Sequence, residues 1–283
     1  MAENYNNYIS RQIPVPPAFG EVFTHFYVAE NHEARPVHKT LVPTFQTILV
    51  FSFGTPLLCT ASPYRTLSVD ECSILGPVKR SFDYTLPPGA EMLVANFRDD
   101  GFFRTFGPLI RDIRPVHPDE LLHDNCFSHL WKILKALGTM EERVSRILDF
   151  TLPYLRPRDT VMAQIEQARN EGAPGSTGKE VAESPVKIVA RHTGLTRRSI
   201  QLRHKQRLGY SEKEITRYGR FLKALEMVNR SIADAHKVDW FDIIHDCGYY
   251  DQSQLIHDFK RYLDLSPTRY LKVQQDICCA VPA

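Results

Sequence analysis

The sequence lacks any apolar run long enough to span a bilayer. Its longest, residues 48–61, is broken by Ser52, Gly54, Thr55 and Pro56, whereas a spanning helix needs roughly 20 consecutive apolar residues. The first eight residues, Met-Ala-Glu-Asn-Tyr-Asn-Asn-Tyr, have neither the basic nor the apolar region of a secretory signal. No membrane role is expected, and the expected compartment is the cytoplasm. Cysteine is sparse: there are 6 in 283 residues, at positions 59, 72, 126, 247, 278 and 279, and none forms a Cys-x-x-Cys pair. Neither a disulfide framework nor a zinc knuckle is implied.

The motifs of catalysis are missing too. There is no Gly-x-Ser-x-Gly elbow, phosphate-binding Walker loop or dinucleotide fingerprint. No His-x-His occurs, and the spacings of His25, His32 and His38 do not gather them on one strand face. His123, Cys126 and His129 fall in a helical stretch where the third member rotates off the face of the first two. No catalytic residue, metal site or cofactor is therefore expected.

What is present is an uneven distribution of charge. The net charge is only +2. Residues 185–275, however, hold 17 lysines and arginines against 10 acidic residues, a net +7, leaving −5 for the remainder. A basic C-terminal third is what a phosphate-binding surface requires, although any solvated basic face has the same composition.

A chain of 283 residues exceeds one small core and fits two domains. Between residues 20 and 98, short segments rich in β-branched and aromatic residues alternate with turn formers. They are Val22–Ala29, Phe45–Phe53, Cys72–Leu75, Ser81–Leu86 and Met92–Phe97, punctuated by Gly54-Thr-Pro and Pro87-Pro-Gly. This predicts an all-β sandwich or barrel. Phe45, Phe51, Phe53, Phe82, Tyr84 and Phe97 are numerous enough to line an apolar pocket as well as fill a core.

Helical periodicity follows. Leu130, Ile133, Leu134 and Leu137 share one face, and Thr139 with Glu142 is a capping-box pattern for a helix presenting Val144, Ile147 and Leu148. This hairpin must bury its stripes either on the β domain or on a second subunit. A further helix, Thr160–Glu171, precedes the glycine-rich segment 172–178, which is flexible by composition.

The most specific pattern lies at 248–271. Gly248 suits the positive φ that ends a helix, Asp251 suits an N-cap, and Leu255, Phe259 and Tyr262 repeat at helical spacing. Ser266-Pro then restarts the chain. Gln252, Ser253, Gln254, His257 and Lys260 are left facing outward. A turn followed by a capped helix with a polar face is the second half of a DNA-reading helix-turn-helix. An earlier unit spans 184–209: Ser184 suits an N-cap, Pro185 the first helical position, and Thr196 caps the next helix. With Ile200 inward, Arg198, Gln201, Leu202 and Lys205 face out. Arginine suits guanine, glutamine adenine, and lysine a phosphate. The competing reading makes this first helix scaffold and phosphate contact only. Ser211–Arg230, with Ile215, Phe221, Leu222, Leu225 and Val228, predicts one long helix between the units. Asp239 is an N-cap candidate for the helix before Gly248.

The order Gly248-Tyr-Tyr-Asp-Gln-Ser-Gln-Leu-Ile-His-Asp-Phe-Lys-Arg-Tyr-Leu-Asp-Leu-Ser-Pro-Thr-Arg-Tyr270 closely resembles the signature of the AraC/XylS transcription regulators. It departs at Asp264, where that family usually has glycine, and at Ile244, where it has a small alanine. Leu202 stands where arginine is common, and Arg203 and His204 stand where an apolar residue and a phenylalanine are usually buried. The polar pair is therefore expected to loosen the first unit or to make it rely on Arg198, Gln201 and Lys205 for contact. More weakly, 41–51 and 97–107 resemble the cupin-type sensor domain of some such regulators.

The resemblance implies an α+β protein. A cupin-like β-barrel for sensing or dimerisation (1–115) leads through a helical hairpin linker (116–157) to an all-α DNA-binding domain with two helix-turn-helix motifs (158–275) and a C-terminal tail (276–283). It implies a sequence-specific transcription regulator controlled through its N-terminal domain. The implied partners are double-stranded DNA, a small-molecule effector, RNA polymerase and a second copy of the chain. The long central helix would hold the recognition helices about one DNA turn, roughly 34 Å, apart. The alternative is a metal-dependent cupin enzyme fused to a DNA-binding domain, which the missing His-x-His argues against.

Overall fold

The computed structural model describes residues 7–61, 65–107, 115–171, 184–234, 236–274 and 277–278. The N-terminal part is a sandwich of two five-stranded sheets. One sheet has the order β1 (Tyr8–Pro14), β2 (Phe23–Asn31), β9 (Ala90–Phe97), β4 (Ile48–Gly54), β7 (Cys72–Leu75). The other runs β10 (Ile277–Cys278), β3 (Val37–Leu41), β8 (Phe82–Leu86), β5 (Leu57–Ala61), β6 (Arg65–Val69). All pairings are antiparallel except β10 on β3, where Ile277 pairs with Thr40. Residues 277–278 thus return to the N-terminal sandwich.

Side chains alternate across a strand, so the first sheet has two apolar faces with different partners. Ile48, Val50, Met92 and Val94 point between the sheets. Leu49, Phe51, Phe53, Leu93, Ala95 and Phe97 point outward under a layer of helices. That layer is α1 (Gly101–Phe106), α2 (Pro118–Leu122), α3 (Cys126–Ala136) and α4 (Met140–Thr151). The hairpin α3–α4 therefore buries Leu130, Leu134, Val144, Ile147 and Leu148 on its own β domain. The Trp131 indole donates to Ser52 O at 2.8 Å, and Arg143 reaches Glu91 at 2.8 Å and Leu134 O at 3.1 Å. The Thr139–Glu142 capping box forms as its sequence predicts.

The six aromatics divide among three places. Phe51, Phe53 and Phe97 belong to the sheet–helix core, and only Phe82 and Tyr84 of the six lie between the sheets. Phe45 does neither, because it leaves the sandwich altogether (below). The tight turn after β4 needs glycine: Gly54 has φ +69, and a Cβ there would stand 2.1 Å from Gly89 O.

The C-terminal part is helical: α5 (Thr160–Glu171), α6 (Pro185–Thr193), α7 (Arg197–Leu208), α8 (Glu212–Ala233), α9 (Trp240–Asp246), α10 (Gln252–Leu263) and α11 (Pro267–Val273). Val161, Met162 and Ile165 of α5 join one core with Val189, Ile200, Phe221, Leu225, Ile243, Leu255 and Phe259. The glycine-rich segment 172–178 lies outside the described residues. No helix among the described residues is long and apolar enough to cross a membrane.

Two residues of the β domain, Val42 and Phe45, belong to this helical core. Phe45, at φ +56, projects from the β3–β4 connection and stacks on Tyr218 of α8 at 4.5 Å. It meets Tyr210 edge-on at 5.3 Å and Tyr262 of α10 at 6.3 Å. Polar contacts surround this plug. Tyr218 Oη donates to Pro43 O, Ser81 N donates to Tyr262 O at 2.8 Å, and Lys79 pairs with Glu214 at 3.1 Å. A second seam joins Arg207 of α7 to Asp100 at 4.0 Å and stacks it on Phe103 at 5.0 Å.

Candidate nucleic-acid interface

Each helix of the two units starts and stops for local reasons. Thr196 accepts from Ser199 N to open α7, and Gly209 ends it at φ +76. Asp239 accepts from Phe241 N and Asp242 N to open α9. Gly248, at φ +69, turns the chain, and Asp251 accepts from Gln254 N at 2.8 Å to open α10. The sequence does not foretell the role of Ser184. It makes no capping bond to α6 and instead donates to Glu212 at 2.6 Å, tying α6 to the start of α8. Ser211 and Glu214 form a second capping box, a Ser-x-x-Glu signal that the pattern reading passed over.

All nine residues expected to face DNA are exposed: Arg198, Gln201, Leu202 and Lys205 on α7, and Gln252, Ser253, Gln254, His257 and Lys260 on α10. The fold brings seven of them together. Arg198, Gln201, Leu202, Lys205, Ser253, Gln254 and His257 line a single open cleft of about 1360 Å³ between the two helices. Gln252 and Lys260 lie outside its lining. Leu202 is 57 % exposed, an apolar side chain presented on an otherwise polar face.

The floor of the cleft is α8, which contributes Lys213, Thr216, Arg217 and Arg220. These residues were not singled out from sequence, although Lys213, Arg217 and Arg220 stand at i, i+4 and i+7, a basic stripe on one helix face. Two of them are anchored. Asp258, fully buried on α10, accepts from Arg217 Nε at 2.6 Å and faces Arg220 at 3.5 Å. A buried carboxylate is tolerated only when paired, and here the pairing locks α10 to α8. The lining also includes the acids Glu212 and Asp251.

His204 packs inside the first unit. It is 1 % exposed, with Nδ1 3.0 Å from Tyr210 O and Nε2 3.2 Å from an Arg169 nitrogen. Burial first, then the Arg169 charge, lowers its proton affinity, so the ring is neutral and replaces the usual apolar residue. Arg203 is not a core residue at all, since its side chain is exposed. Asp264 occupies the left-handed region at φ +58, which is why glycine is common there.

Among the described residues no three of His, Cys, Asp and Glu converge as a metal site. The Arg-, Lys- and Gln-lined cleft has the chemistry of phosphate and base-edge recognition.

Comparison with known proteins agrees over the C-terminal part. Residues 189–272 match the family described as a helix-turn-helix domain. No curated protein matches the sequence. Among solved structures, ToxT from Vibrio cholerae is 10 % identical, covers 87 % of this chain and 98 % of its own, and has a TM-score of 0.39. ToxT of strain SCE256 bound to an unsaturated fatty acid is 9 % identical, with 96 % and 97 % coverage and a TM-score of 0.37. A cupin domain of an XRE-family regulator from Enterobacter cloacae is 9 % identical, covering 33 % of this chain and 97 % of its own, at a TM-score of 0.25. The segment 189–272, with its two units on either side of one long helix, is a helix-turn-helix domain.

Proposed function

We propose that this protein is a cytoplasmic, sequence-specific DNA-binding transcription regulator, without catalytic activity, whose N-terminal domain sets the geometry of its DNA-binding domain. The observation that carries the reading is the shared cleft, where seven outward side chains of two recognition helices converge over a basic helix. Arg198, Gln201, Leu202, Gln254 and His257 are assigned to base edges. Gln252 and Ser253 join them on α10, and Lys205 and Lys260 are assigned to the backbone. Control enters through Phe45, which touches both α8 and α10 from a face of α8 other than the one lining the cleft. The β domain therefore docks without covering the DNA-facing surface. The domain division is taken as 1–115, 116–157 and 158–275. A second copy of the chain, RNA polymerase and a small-molecule effector complete the set of partners.

The test is an electrophoretic shift of the full chain on duplex DNA at several salt concentrations. Each neutralised phosphate contributes about −0.9 to the slope of log affinity against log salt, so the basic cleft should give a slope of roughly −3 to −5. No binding at low salt, or binding indifferent to salt, removes the proposal.

A further inference from the structure

The two sheets do not close completely on each other. Between them lies a cavity of about 70 Å³, walled by Ile48, Val50, Leu57, Met92 and Val94 and carrying His25 in its lining. His25 is 5 % exposed, and its Nε2 has no hydrogen-bond partner. Its other nitrogen, Nδ1, lies 3.1 Å from Thr24 Oγ1. A buried ring nitrogen without a partner is costly, and the groups that satisfy such atoms are water or a ligand. No lysine, arginine, aspartate or glutamate lines this space. Burial also disfavours the protonated imidazole, so the cavity holds no countercharge for an anion. The neighbouring Cys59 is likewise neutral, its thiol pushed up to about 12 by burial.

We propose that this cavity binds a compact, uncharged molecule, apolar in its body and bearing one hydroxyl or carbonyl group that hydrogen-bonds His25 Nε2. The proposal deepens the effector part of the regulator reading and rests on it only for its consequence. The volume is about half of the roughly 150 Å³ that takes up benzene. The occupant is therefore small, and Met92, an unbranched side chain on the wall, can turn to widen the space. The seat lies near the domain seam, because Thr24 Oγ1 also accepts from Gln46 Nε2 at 3.3 Å and Gln46 follows Phe45 directly.

2-Propanol serves as the probe, with isobutane as the same shape lacking the hydrogen-bonding group and acetate as the charged analogue. The full chain, labelled with ¹⁵N-histidine, is titrated with each, and the His25 signals are identified by their loss in His25→Asn. 2-Propanol should shift the His25 ring nitrogens saturably. Isobutane should do so at least tenfold more weakly, acetate should not bind, and Val94→Phe, which fills the cavity, should abolish the shift. A His25 signal unmoved by 2-propanol, or moved equally by acetate, overturns the proposal, as does an unchanged 2-propanol response in Val94→Phe. If Val94→Phe does not fold, Val50→Ile fills less of the space and should weaken the response, an unchanged one again refuting it. DNA binding by the same sample is measured separately, so a silent cavity in a DNA-binding chain sinks the cavity alone.

Discussion

Replacing Phe45 by alanine should uncouple the two domains. Phe45 is 5 % exposed and contacts Tyr210, Tyr218 and Tyr262. Truncating a buried phenylalanine costs about 3–5 kcal/mol through lost transfer energy and the void left behind. Its backbone supplies an internal control. At φ +56 a residue with a Cβ is strained by about 1–2 kcal/mol, and alanine keeps that strain whereas glycine does not. Phe45→Gly should therefore be no less stable than Phe45→Ala, the reverse of the usual order. The two tryptophans make the assay direct, since Trp131 sits in α3 and Trp240 in α9. Urea unfolding of Trp240→Phe and Trp131→Phe backgrounds then reports each domain in turn. The transitions should coincide with Phe45 in place and separate in Phe45→Ala. A loss below about 1 kcal/mol would refute the claim that the seam is packed like a core. Transitions already separate with Phe45 present would refute the coupling.

Asp264→Gly should stabilise the chain by about 0.5–1 kcal/mol, after subtracting the extra freedom of unfolded glycine from the relieved left-handed strain; calorimetry checks it, and a loss would mean that the Asp264 side chain has a role of its own. Burial alone would raise the pKa of Glu214, but the Ser211 amide and hydroxyl and Lys79 outweigh it and hold the carboxyl at about 2, against an ordinary 4.5. The stability it contributes is thus complete above about pH 4.5 and is lost as pH falls towards 2. In urea titrations Glu214→Gln should flatten that acid limb and lower stability at pH 7. Gln254→Ala should relax specificity at one operator position, at about 1–3 kcal/mol per lost bidentate contact. Lys205→Ala should weaken all sequences alike, and titrations against single-base operator variants would show the opposite pattern if the two roles were exchanged.

Most helical caps were legible in the sequence because they are local; Ser184, drawn to Glu212 of another helix, is the exception. Thr139 with Glu142, Thr196, Asp239 and Asp251 all accept the amides their spacing predicts. The strands β2, β4, β7, β8 and β9 were legible because runs of β-branched and aromatic residues put at least one face of each in a core. Strand β1 has four consecutive exposed residues and gave no alternation to read. Strands β3, β5 and β6 also escaped the pattern. Period-two alternation tells that Phe51 and Val50 point opposite ways. Which neighbour each meets depends on the tertiary layer, and so the sequence does not tell that Phe51, Phe53 and Phe97 lie under the helices while Phe82 and Tyr84 lie between the sheets. The outward residues of α7 and α10 were legible from helical phase. Asp258 was not, because nothing local distinguishes a buried acid awaiting two arginines of another helix from an exposed one.

These long-range contacts also decide how the two recognition helices can move. Asp258 fastens α10 to α8 through Arg217 and Arg220, so the second unit follows α8. The first unit has a separate tether, since Arg207 at the end of α7 pairs with Asp159 at 2.8 Å and reaches Asp100 and Phe103 of the β domain. The β domain thus holds α7 through Arg207 and α8 through Phe45, at two places on the DNA-binding domain. A displacement of the β domain that strains one attachment more than the other shifts α7 relative to α10. In the regulator proposed above, where base readout requires both helices in register with the DNA grooves, such a shift would change affinity without altering any outward side chain of α7 or α10.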